Sequence, residues 1–266
     1  FFSNHTPQSP ILSGLVGSEM CIRDRNNNIY IANFKMNGNI QLIDKYISLF
    51  KNYNGNDLII LCPPFTLLNY CSDKIETHKS VLRLGAQNIH HENEGAYTGE
   101  ISANLIKSYS KYSIIGHSER RLNGETNEII TKKIISCLEN NIKPILCVGE
   151  YNYVDNTNET FKIIEAQLKP LKSIVSNSNH SLLIAYEPVW AIGNNNSCDP
   201  DRAGEIANFI KRFVADTKNT VNILYGGSVD DKNHQGYLKQ KNINGLLVGT
   251  ASLDPTKFYN IVNNNR

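Results

Sequence analysis

The chain has 266 residues, 40% hydrophobic and 20% charged, with 27 basic against 25 acidic side chains and a formal net charge of +2. That length is ample for one large core, and a charge so close to balance argues against a nucleic acid or a polybasic membrane surface as partner. No apolar stretch approaches the ~20 residues of a membrane-spanning helix. The cysteines (Cys21, Cys62, Cys71, Cys137, Cys147, Cys198) form no C-x-x-C and no metal spacing, which disfavours a zinc ribbon or a disulfide-stapled secreted fold and points to a reducing, cytoplasmic setting.

Residues 1–27 carry neither a helical nor a strand period. Their apolar part, Ile11 to Val16, is short, broken by Ser13 and Gly14 and preceded by no basic residue, so an export signal is disfavoured. A disordered leader or a cloning or sequencing scar is expected there, with the folded domain covering 28–266. From residue 28 onward, short β-branched runs alternate with longer amphipathic stretches. Strands are expected at Ile29–Phe34, Leu58–Leu61, Val81–Ala86, Tyr112–Ile115, Lys143–Val148, Ser181–Tyr186, Asn222–Tyr225 and Gly245–Val248. Several are apolar almost throughout, as strands buried on both faces of a parallel sheet must be. Among the helices between them, Glu128 to Leu138 sets Ile129, Ile130, Ile134, Ile135 and Leu138 on one face. Asp201 to Val214 does the same with Ile206, Phe209, Ile210 and Phe213. Eight strands alternating with roughly eight helices, without a linker, predict a single α/β domain, a (β/α)8 barrel. A doubly wound sheet is the rival, and regular repeats without a long insertion favour closure.

In such a barrel the chemistry sits at the carboxyl ends of the strands. The first strand runs into Asn33-Phe34-Lys35, the fourth into His117-Ser118-Glu119, and the sixth into Glu187 and then Gly193. The seventh ends in Gly226-Gly227-Ser228 and the eighth in Gly249-Thr250. Glycine lets a backbone approach a ligand closely, and consecutive free N–H groups form an anion nest. Two such turns on strands seven and eight describe the common phosphate site of these barrels, so a small phosphorylated metabolite is the expected ligand. Taken singly, Lys35 reads as a solvated surface lysine, His117 as a turn histidine, Glu187 as a cap and Cys147 as a small buried residue. Convergence of a Lys, a His, a Glu and two phosphate-type turns on one rim overturns those readings. His90-His91-Glu92 has the look of a metal cluster, but adjacent side chains on a loop are expected to diverge, and no metal is expected.

The segments NFKMNG (33–38), GAQN (85–88), GAYTGEIS (95–102), IIGHSERR (114–121), PILCVGE (144–150), AYEPVWAIG (185–193), YGGSV (225–229) and LVGTASL (247–253) resemble, in order and spacing, the motifs of the triosephosphate isomerase family. The resemblance covers residues 28 to about 264. It implies a TIM barrel, interconversion of dihydroxyacetone phosphate and D-glyceraldehyde 3-phosphate in glycolysis and gluconeogenesis, and no cofactor. It gives Glu187 the role of base, and His117 and Asn33 that of hydrogen-bond donors to the enediolate oxygens. Lys35 becomes the cation near phosphate and enediolate, with Glu119 orienting it as an ion-pair partner. The family match also implies that Gly193, Ser228, Gly249 and Thr250 hold the phosphate through backbone N–H groups, Ser228 adding its hydroxyl, and that residues 188–198 form a lid excluding water. Another phosphosugar isomerase or epimerase of this barrel class would require acid/base aspartates or metal-binding histidines at several strand ends, which are missing.

Three departures from the family pattern stand out. Phe34 replaces a usual tryptophan, Asn194-Asn195-Asn196-Ser197-Cys198 stands in place of a Thr-Gly-Lys-Thr-Ala hinge, and Thr250 occupies a position usually held by glycine. Thr250 binds an anion through its N–H only if its φ is negative. In the family the polar loop 87–102 inserts into a twin subunit, with the threonine equivalent to Thr98 approaching Asn33 and Lys35, so a homodimer is expected.

Overall fold

The computed structural model describes residues 27–175, 182–193, 197–215 and 221–264. Residues 1–26, Ser181 of the sixth expected strand and Asn194–Asn196 of the lid lie outside the described residues. Strands β1 (Ile29–Asn33), β2 (Leu58–Cys62), β3 (Arg83–Ala86), β4 (Tyr112–Ile115), β5 (Lys143–Val148), β6 (Leu182–Tyr186), β7 (Val221–Tyr225) and β8 (Gly245–Val248) pair in that order, all parallel. β8 closes on β1 through Ile29↔Gly245 to Ala32↔Val248, which makes the closed barrel expected from the repeat. Each expected strand is present, β4, β5 and β8 with the expected bounds and the others with one end shifted by one or two residues.

The strand period of two sorts the side chains into two cores. Ile29, Ile31, Ile60, Cys62, Ile114, Ile145, Cys147, Leu183, Ala185, Leu224 and Leu247 fill the barrel interior. The alternate residues, such as Tyr30, Ala32, Ile59, Leu61, Ile184 and Tyr225, face the surrounding helices. Those helices are α1 (Ile40–Phe50), α2 (Phe65–Thr77), α3 (Ala103–Ile106), α4 (Ser118–Leu122), α5 (Asn127–Glu139), α6 (Thr157–Val175), α7 (Pro200–Phe213), α8 (His234–Leu238) and α9 (Pro255–Asn263). Phe34, in place of the family's tryptophan, is fully buried with its ring 5.3 Å from that of Tyr46.

α7 buries Ala203, Ile206, Ala207 and Ile210 as its period requires, with Phe209 and Phe213 packed at the edge of the core. α5 departs from expectation. Its buried residues are Ile130, Lys133, Ile134, Ser136 and Cys137, while Ile135 is exposed. The reason is an ion pair. Lys133 Nζ donates to Glu125 Oε1 at 2.6 Å and to Asn88 Oδ1 at 2.7 Å, so a charged residue is satisfied on the inner face and takes a place that hydrophobicity alone reserves for isoleucine.

Candidate active site

β1 delivers Asn33 as its last residue, and the chain then turns at Lys35 with φ 51°, a left-handed conformation uncommon outside glycine. Three contacts hold that turn. Lys35 N–H donates to Asn33 Oδ1 at 3.0 Å, Gln87 Nε2 donates to Lys35 O at 2.7 Å, and Lys35 Nζ donates to Glu119 Oε1 at 2.7 Å. Gln87 also donates to Cys62 O at 2.8 Å, tying the ends of β2 and β3 to the turn. Burial acts to raise the Glu119 carboxyl, but the Lys35 ammonium outweighs it, and the group is held below the usual carboxylate value.

After β4, Gly116 (φ 68°) turns the chain and His117 caps α4, whose first residues are Ser118 and Glu119. The cap is the imidazole itself: Glu119 N–H donates to His117 Nδ1 at 3.2 Å. A ring nitrogen that accepts carries no proton, so this imidazole is neutral and its hydrogen sits on Nε2. Nε2 lies 3.2 Å from Glu187 Oε1, and Ser118 N–H donates to Glu187 Oε2 at 3.0 Å. Glu187 follows β6 and is only 2% exposed. It is no cap for the segment after it. Its carboxylate reaches across to the start of α4.

The other end of the site is backbone. Gly193 (φ 74°) is exposed beyond the short 3-10 turn Val189–Ala191. Asn233 Nδ2 donates to Ser228 O at 3.0 Å, and Ser228 Oγ donates to Ala191 O at 2.6 Å. The serine hydroxyl, expected to face an anion, is thus engaged with the base of the lid segment. Gly249 precedes a second 3-10 turn, Thr250–Leu253, and a Cβ built on it would lie 3.5 Å from Lys35 Cε. Thr250 is not among the residues with positive φ, so its N–H is available on the terms the sequence set.

A cavity of about 520 Å³ joins these parts, with Asn33, Lys35, His117, Glu187, Gly193, Ser228, Gly249 and Thr250 all in its lining. Glu119 stands outside the lining and acts on it through Lys35. Thr98 is exposed on the 87–102 loop and does not line the cavity. His90 and His91, expected to diverge, instead stack at 4.3 Å. Among the described residues no group of three or more His, Cys, Asp or Glu side chains is arranged to hold a metal ion. Sequence reasoning passed over Gln87, Asn233 and Glu150. The first had a readable signal, since a polar residue directly after a strand end is what singled out the others. Glu150 had none: buried under the lid base, its Oε1 accepts from Tyr186 OH at 3.0 Å and Trp190 Nε1 at 2.9 Å, and burial holds its carboxyl above the usual range against those two bonds.

A family model described as triosephosphate isomerase matches residues 28–265. The curated relatives include a triosephosphate isomerase of Aquifex aeolicus, 45% identical over 240 residues, which are 87% of this chain and 96% of that protein. One from Dictyoglomus thermophilum is 41% identical over 246 residues, 88% of this chain and 98% of its own length, and one from Gloeothece citriformis is 40% identical over 226 residues, 84% and 91%. A family match spanning the whole barrel, on a chain that covers nearly the full length of such relatives, settles the identification: this protein belongs to the triosephosphate isomerase family.

Proposed function

We propose that the chain interconverts dihydroxyacetone phosphate and D-glyceraldehyde 3-phosphate by proton transfer through an enediolate. The observation that carries the reading is the pairing of a buried carboxylate with a neutral imidazole, 3.2 Å apart, in a cavity whose far end is glycine-rich backbone. Glu187 takes the proton from the carbon beside the carbonyl; the electron pair of that C–H bond becomes the carbon–carbon double bond of the enediolate, and the carbonyl π pair moves onto its oxygen. His117 Nε2–H and Asn33 donate hydrogen bonds to the oxygens where charge develops, the hydroxyl proton of the one oxygen passes to the other, and Glu187 delivers its proton to the neighbouring carbon as the new carbonyl forms. A neutral histidine electrophile is the known device of this enzyme family, and the Glu119 N–H bond to Nδ1 supports the same tautomer here. Lys35, oriented by Glu119, supplies the positive charge. Gly193, Ser228, Gly249 and Thr250 hold the phosphate through their N–H groups, and the 188–198 segment closes over it to exclude water. To leave its contact with Ser118 N–H and meet a substrate carbon, the Glu187 side chain swings toward the cavity.

We also propose a homodimer through the 87–102 loop and a cytoplasmic setting. Met36, next to Lys35, is 96% exposed, an unusual place for an apolar side chain, and residues 92–100 are all exposed. Gln87 at the root of that loop already contacts the Lys35 turn, so a twin subunit covering Met36 would bear directly on the site. No helix among the described residues is long and apolar enough to cross a membrane. The test of the activity is turnover of glyceraldehyde 3-phosphate in a coupled assay. Activity in the native chain and its loss in Glu187→Gln is the expected result; a native chain that leaves the substrate unchanged refutes the reading.

A further inference from the structure

The charged side chains in the cavity wall are poorly balanced for an anion. Lys35 and Lys257 stand against the carboxylates of Glu187, Asp230 and Asp254, and His117 is neutral by its bond from Glu119 N–H. Glu187 belongs to the proton-transfer end. The other two carboxylates follow the phosphate-type turns: Asp230 comes just after Ser228, and Asp254 just after the 3-10 turn that begins at Thr250. Both are fixed by the backbone they cap. Asp230 Oδ1 accepts from Lys232 N–H at 2.8 Å and from Asn233 N–H at 2.9 Å, and Asn233 Nδ2 in turn donates to Ser228 O at 3.0 Å. Asp254 Oδ1 accepts from Thr256 N–H at 3.0 Å and from Lys257 N–H at 3.3 Å, capping α9. A phosphate dianion held at Gly193, Ser228, Gly249 and Thr250 therefore has two carboxylates for neighbours, and their repulsion must be offset.

Two cations are available to offset it. Lys35 already shares its charge with Glu119 at 2.7 Å. Lys257 does not: among the described residues its ammonium makes no ion pair and no hydrogen bond, and only its backbone N–H is engaged. Its place beside the phosphate turn is nevertheless fixed. Ser252 donates twice to Gly249 O, from N–H at 2.8 Å and from Oγ at 2.6 Å, and Asp254 N–H donates to Ala251 O at 3.4 Å. The first turn of α9 is thus tied through the 3-10 turn to Gly249 itself, and Lys257 joins Gly249 and Thr250 in the wall of one cavity. An uncommitted ammonium there attracts an incoming dianion and answers the charge of the two caps.

We propose that Lys257 is a further substrate-binding residue: its ammonium offsets Asp230 and Asp254 and sets the affinity of this end of the cavity for a dianionic phosphate group. The proposal rests on the phosphate being held there, as the isomerase reading has it.

The test is a titration of the full chain with inorganic phosphate at pH 8 and constant ionic strength. It is followed by the rise in melting temperature, which reports binding without turnover. KM and kcat for glyceraldehyde 3-phosphate are measured alongside. Lys257→Met removes the charge from an exposed side chain, Lys257→Arg keeps it, and Asp254→Asn removes the opposing charge while its amide oxygen still caps α9. Lys257→Met should weaken phosphate about fivefold and raise KM by the same factor with kcat near native, and the difference should shrink at high salt. Lys257→Arg should stay near native, and Asp254→Asn should bind phosphate about threefold more tightly. Phosphate affinity unmoved in both Lys257→Met and Asp254→Asn overturns the proposal, as does equal weakening in Lys257→Met and Lys257→Arg, which would mark packing rather than charge. If Lys257→Met does not fold, Asp254→Asn decides alone. A native chain that binds phosphate in this pattern but leaves glyceraldehyde 3-phosphate unchanged sinks the isomerase reading and supports the binding role, a distinct outcome.

Discussion

Gly149 offers a way to move the base without touching it. A Cβ built on Gly149 would run into the carbonyl oxygen of Glu187 and lie 2.6 Å from its carbonyl carbon, where carbon atoms ordinarily touch at about 3.5 Å, so Gly149→Ala demands a displacement of at least about 1 Å. Gly149 cannot easily be the one to yield. Its N–H donates to Gln167 Oε1 at 2.8 Å and its carbonyl accepts from Gln167 Nε2 at 2.9 Å, a clamp from α6. Its φ is not positive, so the substitution adds no left-handed strain and the effect is one of contact alone. The Glu187 backbone therefore moves, and with it the carboxylate held 3.0 Å from Ser118 N–H and 3.2 Å from His117 Nε2. A misplacement of ~1 Å costs on the order of 100-fold in rate, or about 2.7 kcal/mol of barrier. Overpacking costs roughly 1–3 kcal/mol of stability, which leaves a domain of this size folded at 25 °C. The coupled assay should show kcat/KM reduced by about that factor, with circular dichroism unchanged. Near-native kcat/KM in Gly149→Ala would refute the reasoning, since the strand end would then yield without disturbing the carboxylate.

Glu187→Asp withdraws the carboxylate by one bond, about 1.5 Å; kcat should drop on the order of 100-fold while KM changes little, because the phosphate end of the cavity is built from other residues. Glu150 carries the pH prediction. Its carboxyl is raised above 4.5 by burial, against the Trp190 and Tyr186 bonds, so the stabilisation it lends is complete below that value and is lost as pH rises through the raised one. The melting-temperature difference between native and Glu150→Gln should accordingly be largest in acid and shrink as the pH is raised; a difference constant from pH 4 to 8 would contradict it. Light scattering should return twice the chain mass, and Met36→Asp should shift the protein toward a monomer of low activity. A fully active monomer at assay concentration would remove the dimer from the account.

The barrel was readable because each strand is a short apolar run buried on both faces, and eight such runs leave few ways to be arranged. The rim was readable for the same reason: where a run such as Tyr112–Ile115 stops, the next polar side chain has no place but the end of the barrel. What escaped the reading depends on pairings across space. Lys133 hides among the isoleucines of α5 because Glu125 and Asn88 meet it from distant segments. The same holds for Gln87, whose two acceptors lie 25 and 52 residues away, and for Ser228, whose hydroxyl turns to Ala191 rather than into the cavity. Residues Asn33, Lys35, His117, Glu187, Gly193, Ser228, Gly249 and Thr250 reached one cavity because strand order alone brings them there.

The left-handed turn at Lys35 sets stability and activity against each other at a single residue. A side chain at φ 51° carries backbone strain of order 1 kcal/mol or more, which glycine would relieve. Lys35→Gly should therefore melt no lower than the native chain, even after losing its ion pair to a half-exposed Glu119, a kind of contact worth little, while losing the charge that the chemistry needs. Screening this protein for thermal tolerance without also screening for turnover would favour that loss, and directed evolution toward a more robust enzyme would have to hold position 35 fixed and seek its gains elsewhere.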